Sequence, residues 1–163
     1  MSDFGYLHDL DAPNDTSKIG PRLSFQFQPD GMQDSHESGF HSVLVPGHSH
    51  GLTQFGGGGT DDNPIQLAFV GDTSDPAYVA DRVAWLLSLT YPDYDSSGRL
   101  VRPPHTVLYV VGDWINERCK VISVKASYGK TFHQGTRYPR TAVVDVLLRR
   151  FSDQALDYTA VRP

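Results

Sequence analysis

The chain has 163 residues and a mass of 18.0 kDa, with 39% apolar and 20% charged residues, 15 Gly and 11 Pro. That is one domain's worth of loop-rich globular chain, and it excludes collagen-like, coiled-coil and disulfide-scaffold classes. The formal net charge of −5 hides a split: residues 1–98 hold 14 acids and 3 bases, residues 99–163 hold 5 acids and 11 bases.

Such a division speaks against wrapping nucleic acid, which calls for one broad basic field. It leaves two readings. Opposite faces of opposite sign would suit stacking of subunits. Alternatively, the two halves interleave in the fold and their charges cancel. No apolar run approaches the roughly 20 residues of a membrane span. The start, Met1 to Gly5, lacks the basic and apolar segments of a secretory signal. A single cysteine, Cys119, cannot form an internal disulfide and fits synthesis in a reducing compartment.

In chain order, residues 1–21 are polar and acidic and predict an extended N-terminal arm outside the core. Arg22 to Gln28 alternates, with Leu23, Phe25 and Phe27 on one face, and predicts a half-buried strand ended by Pro29-Asp30-Gly31. Phe40 to Val45 predicts a second strand, and Gln54 to Pro64 a flexible, acidic, Gly-rich loop. Ile65 to Val70 alternates as a third strand. Residues 76–90 carry the helix: Asp75 suits the N-cap, Pro76 the first helical position, and Val79, Val83, Leu86 and Leu87 recur at helical spacing.

Residues 91–105, with Pro103-Pro104, predict an irregular connection. Thr106 to Gly112 is dense in β-branched and aromatic residues and predicts a buried strand. Lys120 to Tyr128 alternates with Ile122, Val124, Ala126 and Tyr128 on one face. Thr141 to Arg150 does so with Ala142, Val144, Val146 and Leu148. The expected class is α+β, mainly β, with about six strands and one helix.

Four places invite a chemical reading. His48-Ser49-His50, with His41 and His36 nearby, resembles a metal cluster, but the pair lies in a turn with no cysteine or spaced carboxylate beside it. Gly56 to Gly59 lacks the Lys and Ser/Thr of a phosphate loop and is followed by Asp61-Asp62, which would repel phosphate. Cys119, between Arg118 and Lys120, has the flanking charges of a lowered thiol pKa, yet no His or Asn pattern completes a nucleophile. The pairs Asp61/Asp62 and Asp93/Asp95 lie in turn-forming sequence rather than on a regular element. No catalytic, metal or cofactor-binding residue is assigned, no cofactor is expected, and the chain is expected not to be an enzyme.

The order of elements resembles a family. Leu23-Ser24-Phe25-Gln26-Phe27-Gln28-Pro29 is similar to the opening strand of tail-tube-like domains near the baseplate of contractile phage tails and related contractile injection systems. Ile65 to Phe69 resembles the family's alternating strand, Val79 to Leu89 its single helix, and Arg102-Pro103-Pro104 the turn before its next strand. Leu108 to Asp113 resembles the strand that follows. Val121 to Tyr128, Gly135 and Pro139 to Val146 resemble its closing β-hairpin. The likeness covers about 22 to 151, which divides the chain into an arm (1–21), a tube-like β domain (22–151) and a C-terminal tail (152–163).

The resemblance implies a tail-tube-like fold of two packed β-sheets, as a sandwich or barrel with one helix, assembled into a ring. It also implies a virion structural protein that joins the tail tube to the hub or baseplate and is made in the host cytoplasm. Partners would be like subunits in a ring, hexameric by the family's pattern, the tube protein, and hub, spike and wedge proteins. DNA would pass only as cargo through the lumen, and no membrane is involved. From the charge split, Arg137, Arg140, Arg149 and Arg150 are the expected basic side of subunit contacts, and Asp9, Asp11, Asp15, Asp61 and Asp62 the acidic side. Two alternatives stand beside this. One is a peptidoglycan-binding module related to LysM, on the likeness of Tyr109-x-Val111-Gly112-Asp113 to a LysM opening, where the spacing is short and no helix pattern follows. The other is a metal hydrolase built on His41, His48 and His50.

Overall fold

The structure is a computed structural model that describes residues 4–32, 38–43, 46, 52–58 and 61–150. It has the expected class, α+β and mainly β with one helix, and its main sheet curls into a half-barrel. The elements are β1 (Gly5–Asp9), β2 (Arg22–Ser24), β3 (Ser38–Val43), β4 (Leu52–Gly58), β5 (Asp62–Val70), α1 (Tyr78–Ser88), β6 (Asp93–Tyr94), β7 (Leu100–Arg102), β8 (Thr106–Val111), β9 (Ile115–Tyr128) and β10 (Thr141–Arg150). Six strands form one sheet in the order β2-β1-β8-β9-β10-β5, and β3-β4 and β6-β7 are separate two-stranded ribbons. Every pairing in the main sheet is antiparallel.

The alternation in the sequence fixes one apolar face. Leu7, Leu23, Ile65, Leu67, Phe69, Val107, Tyr109, Cys119, Val144, Val146 and Leu148 are buried in a single core with Val79, Val83, Leu86 and Leu89. The helix lies nearest β9 and β10. Its predicted stripe faces the core, with Leu87 partly buried at the margin. Its start differs from expectation: the N-cap is Ala77, without a side-chain hydrogen bond. Asp75 instead accepts a hydrogen bond from Lys18 Nζ at 2.9 Å, which draws its carboxylate away from the helix N–H groups.

Five other expectations need correction. Residues 1–21 are not all an arm, because Gly5–Asp9 is an inner strand between β2 and β8, with Leu7 fully buried. The strand at Arg22 stops at Ser24; Phe25 remains buried, whereas Phe27 is exposed. The Gly-rich segment is not a loop through its length: Leu52–Gly58 pairs with β3, aligning Phe55 with Phe40. The connection 91–105 contains the β6-β7 ribbon. In β9, the register against β10 shifts between Leu147 and Leu148, so Ser123 and Val121 take consecutive partners and Ile122 is the extra residue. That bulge changes the parity of the strand. Val121 is buried, Val124 and Ala126 pack against the same core, and Ile122 points out.

Candidate functional site

Many of the large apolar side chains that the chain leaves exposed lie on the ribbons and turns. On β3-β4, Phe40 and Phe55 are 60% and 65% exposed, with ring centroids 5.4 Å apart. On β6-β7 the exposed residues are Tyr94, Leu100 and Val101. That second ribbon is turned by Asp95, whose Oδ1 accepts hydrogen bonds from the Ser97 and Arg99 backbone N–H groups at 2.9 and 2.8 Å, and by Gly98 at φ +79°, a conformation that suits glycine. Trp114 is exposed in the β8-β9 turn, and Phe132 and Tyr138 in the β9-β10 connection.

The main sheet treats its β5 border differently. Strand edges offer unpaired N–H and C=O groups that recruit other strands. Here Asp30 exchanges two backbone hydrogen bonds with Gln66, at 3.1 and 2.8 Å. Gln26 lends its side-chain amide to Val70: Nε2 donates to the Val70 carbonyl at 3.0 Å, and Oε1 accepts from the Val70 N–H at 2.8 Å. Pro64, in the same strand, has no N–H to offer.

The charged residues expected at subunit contacts are placed as follows. Asp62 and Arg149 face each other across β5 and β10 and form a two-pronged ion pair, with Nε to Oδ1 at 2.6 Å and Nη2 to Oδ2 at 3.0 Å. The hydrogen bond from Arg149 holds the Asp62 carboxyl below its ordinary value. Arg150 lies between Glu117, to which it is hydrogen-bonded, and Asp61, at 3.6 Å. The pairs Asp62–Arg149 and Asp61–Arg150 thus join the two halves of the sequence within one chain.

The carboxylates of Asp9 and Asp11 both accept hydrogen bonds within the chain. Asp9 is buried, and its Oδ1 accepts from the Asp11 N–H at 3.0 Å. Asp11 Oδ2 accepts from the Thr106 N–H at 2.7 Å. Asp9 occupies an inward position of a strand that the sequence did not announce, and Asp11 follows it, half-buried. Asp15 closes a local turn through Ser17, which holds its carboxyl below its ordinary value. Arg137 and Arg140 are exposed on the β9-β10 connection, Arg137 at φ +58°.

One arrangement escaped the sequence reading. His105, just before β8, sits between two carboxylates: Nδ1 is 2.6 Å from Asp9 Oδ2 and Nε2 is 3.0 Å from Asp93 Oδ2. The partners lie 96 and 12 residues away in sequence, and no spacing rule connects them.

Among the described residues there is no group of three or more His, Cys, Asp or Glu that could hold a metal ion. His36, His48 and His50 lie outside the described residues, and His41 is exposed on β3. Cys119 is fully buried, and burial pushes its thiol pKa up to about 12, against the lowering that Arg118 and Lys120 suggested. Its thiol should resist an aqueous disulfide reagent in the native chain at pH 8 and react at once in denaturant. Rapid stoichiometric labelling of the native chain would contradict the burial. No described helix is long and apolar enough to cross a membrane. No protein-family model matches the chain, and no curated protein matches it in sequence.

Proposed function

We propose that the chain is a virion structural protein of a contractile tail, forming a ring between the tail tube and the hub or baseplate and acting by contact rather than turnover. In this reading like subunits close the ring, the tube protein stacks on one side, and hub, spike or wedge proteins meet the other. DNA passes the lumen without being read, and the parts assemble in the host cytoplasm.

The observation that carries the reading is the β3-β4 ribbon. Its strands contain no Asp, Glu, Lys, Arg or Pro, the residues with which soluble sheets usually protect their edges. Among the described residues neither strand has a second partner, and the Phe40/Phe55 pair stands exposed. A two-stranded ribbon is marginal alone in water. Pairing with neighbouring subunits would satisfy its edges and cover its rings, and closed symmetry would keep that pairing from running on indefinitely. The mainly β class with one helix agrees with the resemblance from which the reading began.

The test is negative-stain imaging and light scattering of the full chain, alone and mixed with the tube protein of the same tail. Rings, or caps seated on tube ends, are expected. A monomer at every concentration that also fails to bind tube ends would reject the proposal.

A further inference from the structure

Both ring nitrogens of His105 lie within hydrogen-bond distance of a carboxylate oxygen. A neutral imidazole has one N–H donor and one lone pair, so it can satisfy only one of two ionised carboxylates and turns a lone pair on the other. The geometry therefore calls for the doubly protonated ring. We propose that the His105 imidazolium is a proton-controlled latch: it ties Asp93 of the β6-β7 ribbon to Asp9 of the main sheet, and on losing a proton it keeps Asp9 and releases Asp93.

The direction of release follows from the surroundings. The Asp9 side chain is 9% exposed and the Asp93 side chain 48%. Asp9 is also fixed by the backbone N–H groups of Asp11 and Ala12. A buried carboxylate left without its donor is costly, whereas Asp93 can turn to water. The other charged groups around the ring come from each neighbouring element. Asp11, after β1, holds the Thr106 N–H. Arg102 of β7 adds its charge to Asp93 and donates to the Asp11 carbonyl at 2.8 Å. Lys120 of β9 donates to the Pro104 carbonyl at 2.8 Å.

Burial of the ring opposes its charge, but the hydrogen bonds and charges of Asp9 and Asp93 outweigh it, and the His105 pKa stands above its usual 6.5. The hydrogen bond from His105 in turn holds the Asp93 carboxyl below its usual 3.8. A raised histidine pKa gives stability that is full below pH 6.5 and is lost as pH rises through the raised value. A lowered carboxyl pKa gives stability that is present above pH 3.8 and is lost as pH falls through the lowered value. The latch is closed between the two. Once Asp93 is released, the ribbon keeps the Arg102 hydrogen bond to the Asp11 carbonyl but loses its tie through His105, and a two-stranded hairpin held so loosely loses much of its order. With it go the positions of Tyr94, Leu100 and Val101, which form its exposed apolar surface.

The experiment is a pH titration of the full chain by NMR, following the imidazole nitrogens of His105 and amide exchange corrected for its intrinsic pH dependence. Two protonated ring nitrogens are expected at pH 6, with a midpoint above 6.5. Protection in β6-β7 should fall through that midpoint by up to about tenfold per pH unit, while β8 to β10 stay protected. Asp93→Ala, at a half-exposed position, should fold, lower the His105 midpoint and leave the ribbon poorly protected at every pH. A singly protonated ring at pH 6, ribbon protection indifferent to the His105 titration, or an Asp93→Ala variant that titrates and exchanges like the parent would each overturn the latch.

Discussion

Leu86→Ala is expected to lower stability by about 2 to 5 kcal/mol, the range for truncating a fully buried leucine. Leu86 has no exposed surface and stands in the helical stripe with Val79 and Val83, against the same core as β9 and β10. The helix has no side-chain cap and no basic residue in its last turn, so packing supplies most of what holds it. The midpoint of urea unfolding reads the effect. A shift equivalent to less than about 1 kcal/mol would mean that the stripe is not seated on the sheet.

Gly5→Ala is expected to be nearly as damaging, although it adds one methyl group. A Cβ at Gly5 would lie 2.5 Å from the Val110 carbonyl oxygen and 3.0 Å from the Phe25 ring. A backbone carbonyl in a paired strand cannot turn aside as a side-chain tip can, so β1 would have to lift from β8. Overpacking of this kind costs about 1 to 3 kcal/mol, sometimes more. Parental stability in Gly5→Ala, measured in the same urea titration, would show that β1 does not occupy the place between β2 and β8.

These two sites also mark what the sequence discloses. The Leu86 stripe, the inward residues of β10 and the inward residues of β5 are legible because three or more large apolar side chains recur at a regular period. β1 is not, since its inward positions are Gly5, Leu7 and Asp9, one apolar side chain among three. Nothing local requires glycine to pair in β4 either; β3 opposite decides that. The Ile122 bulge hides in a different way. Val121, Ile122 and Val124 are all apolar, so the pattern fits either phase, and only the partner strand chooses. The charged residues were legible as two populations but not as pairs, because Asp62 and Arg149 lie 87 residues apart and meet through sheet order. The His105 cluster depends on the same long-range register, with β1 bringing Asp9 beside the start of β8.

The amide of Gln26 occupies, at Val70, the place that another strand's peptide group would take, and Asp30 does the same at Gln66. The sheet is thus terminated on that side from within its own chain, much as a monofunctional reagent ends a growing polymer. A chain built this way does not need a neighbour to complete that border of its core sheet. In the proposed ring, folding and association would then be separable steps, and a population of finished monomers would accumulate before assembly begins. Joining that proposed ring through a ribbon outside the main sheet would leave the core hydrogen bonds undisturbed, so that a subunit could also be withdrawn without being unfolded.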